Sequence, residues 1–187
     1  MAETWEQQAK LMTASEYTQL RAFARNDGAF LGIMWMVSFV LTMLSPKVPL
    51  LGTFGLTLAF LTPFFVVRRI RMFRDHIREG LLGYWSGYSY SMSMFFYAAL
   101  LLALVQYVWF AFVDDGSFLS TTLEQMKQML LANKYPEQEV NAAIGQMKNM
   151  RPIDWAIYFL STNVIMGFVL SVVIAFITKR SVKVERQ

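Results

Sequence analysis

The sequence predicts an all-α integral membrane protein: four transmembrane helices, a basic amphipathic connector helix on the cytoplasmic side, and an extracytoplasmic helical hairpin between spans three and four. Three observations predict it. Of 187 residues, 56 % are apolar, 16 % aromatic and only 16 % charged, well past soluble usage. The apolar residues are gathered into four runs without lysine, arginine, aspartate or glutamate: Gly28 to Leu44, Val48 to Val67, Tyr88 to Val113 and Ile153 to Ile177. Each is about long enough for a hydrocarbon core of ~30 Å at ~1.5 Å per helical residue. Finally, cutting the chain at these runs sorts its basic residues unequally between two sides.

Taken in order, residues 1–27 are polar and form a cytoplasmic lead-in, in which Ser15, Tyr17, Leu20 and Ala24 have the spacing of a short amphipathic surface helix. The first run, 17 residues long, sits at the lower edge of the spanning range, so a re-entrant or interfacial segment is its alternative. A cleaved signal peptide is not expected, because acidic and polar residues precede the run and no small-residue cleavage pattern follows it. Pro46 and Pro49 suit a tight turn between spans one and two, and Pro63 is placed to kink span two.

The connector, 68–87, closes a membrane section of residues 28–113 that holds the first three spans. Ile70, Phe73, Ile77, Leu81, Tyr84 and Trp85 recur at helical spacing, with Arg71, Arg74, Asp75, Arg78 and Glu79 on other faces. Such a helix is expected to lie in the headgroup layer, where Arg68, Arg69, Arg71, Arg74 and Arg78 meet anionic lipid headgroups and Trp85 sits at the interface. Simple anchoring is the plainer role, since one juxtamembrane cation contributes only ~1 kcal/mol. His76 is the sole histidine, and the chain has no cysteine, which removes disulfides, thiolate chemistry and the usual His/Cys metal sites.

Residues 114–152 form the largest segment outside the spans. Thr121 and Glu124 make an S/T-x-x-E capping box ahead of an apolar stripe of Leu123, Met126, Met129 and Leu130. A second helix should start at Pro136, with Val140, Ala143, Ile144 and Met147 as its stripe. Each helix is too short to be stable alone in water, so the two must pack on each other, on the membrane or on a partner. Met126, Met129, Met147 and Met150 give this hairpin an adaptable apolar surface, read either as mutual packing or as a partner surface. Residues 153–187 supply the fourth span and a basic cytoplasmic tail.

Orientation follows from the cations. Lys10, Arg21, Arg25, Arg68, Arg69, Arg71, Arg74, Arg78, Lys179, Arg180, Lys183 and Arg186 fall on one side, against Lys47, Lys127, Lys134, Lys148 and Arg151 on the other. The positive-inside rule places the richer side, with both termini, in the cytoplasm. The net charge of +4 then reads as a topology signal, and nucleic acid is not expected as a partner because the cations are spread over three juxtamembrane segments.

Within the uncharged runs the strongest polar groups are Gln106 and Asn163, expected to act as interhelical hydrogen-bonding pairs in a packed bundle. Gly28 and Gly32, Gly83 and Gly87, and the ladder Gly167, Ser171 and Ala175 have the spacing that lets helices approach closely, within one chain or between copies. No Walker loop, H-E-x-x-H, G-x-S-x-G or spaced acidic pair is present, and the adjacent Asp114 and Asp115 read as a helix-end turn. No catalytic, cofactor-binding or metal-binding residue is therefore assigned.

Three stretches carry a family resemblance: FRDHIREGLLGYWSGYSYS at Phe73 to Ser91, FVDDGSFL at Phe112 to Leu119, and LEQMKQMLLANKYPEQEVNAAIGQMKNMRP at Leu123 to Pro152. With Gly167 in the last span and Lys179-Arg180 after it, the chain resembles, over Ala29 to Arg180, the bacterial family catalogued as domain of unknown function 4199, found mainly in Bacteroidota. It departs from the usual pattern at Asp114-Asp115, where members carry Asp-Pro, and at Asn133-Lys134, where they carry a glycine. The resemblance implies a four-span protein of the bacterial inner membrane and offers no functional residue to carry over.

These readings favour a non-catalytic accessory or scaffold subunit, anchored by its bundle and touching a membrane-protein partner, or a second copy of itself, at one membrane surface. The alternative is a small oligomeric translocator of a lipid, such as a polyprenyl-linked one, or of a solute, with Gln106, Asn163 and tyrosines lining its path. A membrane enzyme has the least support, because no reactive constellation is visible.

Overall fold

The computed structural model describes residues 14–114 and 116–180; Lys10, Asp115, Lys183 and Arg186 lie outside them. Among the described residues the regular structure is helical. The helices are α1 (Ala14–Met43), α2 (Pro49–Ile77), α3 (Tyr84–Val108, prolonged by a π-helical turn, Trp109–Val113), α4 (Ser117–Ala132), α5 (Glu137–Lys148) and α6 (Pro152–Thr178). Four of them, of 30, 29, 30 and 27 residues with the π turn counted in α3, are long and apolar enough to cross a membrane. At ~1.5 Å per residue they outrun the ~30 Å hydrocarbon core and reach through the headgroup layers. The chain therefore has the build of a multi-pass membrane protein.

By packing, the chain divides into two units, one made of the segments up to Leu102 and from Thr162 onward, the other of Ala103–Ser161. In the first, α1 and α2 form an antiparallel hairpin with one steady register. Trp35 Nε1 donates to Thr62 Oγ1 at 2.8 Å, Ser38 Oγ donates to the Gly55 carbonyl at 2.7 Å, and the Phe23 and Phe73 rings meet at 5.5 Å. Gly28 brings α3 against α1: a Cβ there would lie 2.9 Å from the Met94 carbonyl oxygen, so the Gly28 and Gly32 pair is used inside the chain. Leu20, Leu31, Val66, Ile70, Phe73, Tyr90, Phe95 and Ile174 belong to the core of this unit. Its outward faces are apolar as well, with Phe30, Phe60, Phe64 and Phe176 all exposed, which suits lipid and not water. Across the ends of the helices, Leu82 and Arg180 exchange backbone hydrogen bonds of 3.0 and 2.9 Å.

The second unit has an aromatic centre in which Phe110 stacks on Phe159 at 5.9 Å and Trp155 lies 5.9 Å from Phe159. The short helices α4 and α5 pack on each other, with Leu123, Val140 and Ile144 buried. The turn joining them places Lys134 at φ 62. Asp154 accepts from the Arg151 backbone N–H at 2.9 Å and from its Nε at 3.0 Å at the start of α6. The side-chain hydrogen bond raises the Arg151 guanidinium above its ordinary pKa, and as a solvent-exposed pair it adds little to stability.

Several sequence expectations need correcting. Residues 68–87 are not a separate interfacial helix: α2 continues unbroken to Ile77, a short turn follows, and α3 begins at Tyr84. No glycine or proline interrupts α2 after Pro63, and the break comes only where Glu79 and Gly80 take φ 50 and 84, with the Gly80 N–H closing on the Arg74 carbonyl at 2.9 Å. Ile70 and Phe73 consequently pack into protein. The lead-in from Ser15 to Ala24 is likewise no surface helix but the first turns of α1, with Leu20 and Ala24 fully buried. Helix α4 starts four residues before Thr121, after Gly116 at φ 85, so Thr121 and Glu124 lie inside it and form no cap. Pro136 precedes the second helix by one residue, as its N-cap.

Candidate functional site

The most elaborate polar arrangement is one that charge patterning did not reveal. Asp27 is only 2 % exposed, on the core side of α1. Arg69 of α2 donates to its Oδ1 from Nε at 2.8 Å and also from Nη2, and the fully buried Tyr90 of α3 donates to Oδ2 at 2.5 Å. Three helices thus converge on one carboxylate, beside a cavity of about 140 Å³ whose lining includes Phe73 and His76. Burying a lone carboxylate is costly, and the guanidinium and phenol offset this by neutralising the charge and donating to both of its oxygens. With both oxygens engaged, Asp27 is occupied as an acceptor and serves as a tie between helices. His76 itself bonds through Nδ1 to the Met72 carbonyl at 3.1 Å.

The structure divides the five arginines that sequence spacing had grouped. Arg69 is bound to Asp27, Arg78 pairs with Glu16 of α1, and Arg74 bonds Asp75 at 2.7 Å while its Nη1 reaches the Thr178 carbonyl at 3.1 Å. Arg68 and Arg71 are exposed and have no ion pair or hydrogen bond among the described residues. Helical geometry explains the split. Val66, Ile70 and Phe73 mark the inward face of α2, Arg69 and Arg74 flank it, and Arg68 and Arg71 lie beyond. These two arginines lie midway along the α2 side of a groove of about 710 Å³ between α2 and α6, with Pro63, Phe64 and Leu170 at one end and Asp75, His76 and Ile177 at the other. Trp85 is 76 % exposed and meets Tyr84 and Tyr88 edge-on at 5.4 and 6.1 Å. An exposed aromatic at the start of a spanning helix suits a headgroup-level position.

Of the other predicted residues, Gln106 is buried and its Oε1 has no hydrogen-bond partner among the described residues, while Asn163 is half-buried. Neither lines the groove between α2 and α6. The methionines separate: Met129 is 58 % exposed, whereas Met126, Met147 and Met150 are half-buried. Met147 and Met150 share a cavity of about 330 Å³ with Trp155 and Tyr158. Packing within the unit thus takes up most of the methionine surface and leaves Met129 outward. Among the described residues no three of His, Asp or Glu gather as a metal site would require.

The family model described as "Protein of unknown function (DUF4199)" matches residues 26–180. The chain belongs to this family. The match runs from the residue before Asp27 to Arg180, and so takes in the buried tie, both units and all six helices apart from the first turns of α1. No curated protein and no solved structure matches the chain.

Proposed function

We propose that this member of the DUF4199 family is a non-catalytic accessory or scaffold subunit of the bacterial inner membrane, with both termini in the cytoplasm and α4 and α5 outside. One observation carries the reading. The buried acid of the spanning unit is consumed in a tie between helices, so its polar chemistry is spent on holding the bundle together. Outside the spanning helices, Met129 of α4 and Tyr135 of the turn after it are both more than half exposed. Flexible thioethers and aromatics are side chains that accommodate a protein partner. The translocator alternative has weaker support, since Gln106 and Asn163 line no part of the groove between α2 and α6.

The absence of native cysteine makes orientation directly testable. In right-side-out vesicles, Gln138→Cys on α5 is expected to react with an impermeant maleimide, and Leu81→Cys only after permeabilisation. Equal labelling of both would refute the topology. For function, gentle extraction of native membranes should keep a stoichiometric partner on the chain. Met129→Glu should release it at least tenfold while leaving the unfolding temperature unchanged. A chain that always migrates alone would count decisively against a scaffold.

A further inference from the structure

We infer that the groove between α2 and α6 is a binding site for one anionic phospholipid, its phosphate held by Arg68 and Arg71 and an acyl chain lying along Phe64, Leu170 and Val173. The groove measures about 710 Å³, within the range of small-molecule sites and far larger than a packing defect. Its chemistry is graded along the helices. Pro63, Phe64 and Leu170 form one end, Arg68 and Arg71 lie midway, and Asp75, His76 and Ile177 form the other end. The apolar part of the α2 lining, Pro63 to Val67, extends over ~6 Å at ~1.5 Å per residue, so the groove holds the first part of an acyl chain and the rest continues into the bilayer. The only carboxylate in the lining, Asp75, is already bound by Arg74 through two hydrogen bonds of 2.7 and 3.2 Å, so it does not neutralise the other two arginines. The groove therefore offers two cations, unpaired among the described residues, at headgroup level and a hydrocarbon wall deeper in, which is the complement of a negatively charged lipid and not of a zwitterionic one. General snorkelling of exposed arginines explains the cations but not the apolar recess continuous with them.

The test is native mass spectrometry of the full chain with added phosphatidylglycerol or phosphatidylcholine. One phosphatidylglycerol should be retained per chain in preference to phosphatidylcholine, and Arg68→Gln with Arg71→Gln should lower its retention ~10-fold or more. Val173→Trp, or Ile177→Trp, should fill the groove, at its middle and at its headgroup end respectively, and lower retention comparably with both arginines intact. Both positions are more than half exposed, so added bulk there meets lipid and not the core, and unchanged thermal unfolding checks this. Arg21→Gln with Arg25→Gln removes the same charge from α1 and should leave retention unaltered. Equal retention of the two lipids, or loss in the Arg21/Arg25 variant as large as in the Arg68/Arg71 variant, would reduce the effect to surface charge and overturn the site. So would full retention in both tryptophan variants, or a chain dimer that Val173→Trp dissociates and that excludes lipid, which would seat a second copy in the groove.

Discussion

Asp27→Ala is expected to destabilise the first unit by about 3 kcal/mol or more, the cost of removing one member of a buried charge pair. The substitution strands two donors together. Tyr90 is completely buried and loses the acceptor for its hydroxyl, itself worth ~1–3 kcal/mol when left unmade. The Arg69 side chain is 31 % exposed, so it can turn toward headgroups and recover part of its loss, which keeps the penalty toward the lower end of the range for buried pairs. Asp27→Asn should fall between, since it keeps an oxygen for Tyr90 but not the charge for Arg69. The combined replacement Asp27→Leu, Arg69→Met and Tyr90→Phe leaves nothing unsatisfied and should restore most of the stability lost in Asp27→Ala. Unfolding curves in a mild detergent measure all of these. If Asp27→Ala unfolds like the parent, the tie is not structural. If the triple variant is as weak as Asp27→Ala, shape and not charge holds the three helices.

That tie also shows where sequence reasoning reaches its limit. The four spans are legible because uncharged runs of this length have no other stable home, and α1, α2, α3 and α6 contain them. Charge, however, does not mark the edge of the packed helical structure in this chain. Asp27 stands immediately before the first uncharged run and Arg69 just after the second, so each looks like a solvated flank. A signal was nevertheless present. If the turn at Ser45 to Pro49 folds the two helices back antiparallel, residues equally far from it must face each other. In the observed pairs 27 with 69, 35 with 62, 38 with 55, 23 with 73 and 16 with 78, the two numbers add to 93–97. Hairpin register alone would have placed the acid beside the arginine.

The same reasoning explains the connector and the arginines. Spacing correctly marks the apolar side of Arg68 to Ile77 as one helix face, but a periodic pattern does not say whether that face meets lipid or protein. Burial of Ile70 and Phe73 against the rest of the unit answers it, and with that face turned inward Arg69, Arg74 and Arg78 become internal partners while Arg68 and Arg71 are left outside. In the second unit the apolar stripes of α4 and α5 were readable, since Leu123, Val140 and Ile144 are buried as their spacing requires. Helix ends were not. Thr121 and Glu124 have the letters of a capping box, yet the turn at Gly116 lets the helix begin earlier, and capping chemistry adds only ~1 kcal/mol to a boundary that backbone geometry has set.

Gly167→Leu should disrupt the packing of α6 on α3 and is expected to cost at least the ~1–3 kcal/mol of an overpacked interior, with loss of the folded chain as its upper limit. A Cβ built on Gly167 would lie 2.5 Å from the Phe95 Cβ and 2.8 Å from its Cγ, closer than any real contact. The first of these is the rooted end of a side chain, which a rotamer change does not move, so relief requires the helices to separate. Separation would in turn loosen Ser171 and Ala175, fully buried one and two turns further along α6. Gly167→Ala should already lower the unfolding temperature, and Leu should do so by clearly more, because a larger side chain must force the same gap wider. A partial rescue by Phe95→Ala in the Gly167→Ala background would show that the ring, and not the helix propensity of the new residue, sets the cost: alanine favours the helix over glycine by ~1 kcal/mol and on its own would stabilise α6. If Gly167→Ala proves as stable as the parent without that second change, α3 and α6 are not in the close contact described, and the pairing of these two helices would have to be reassigned.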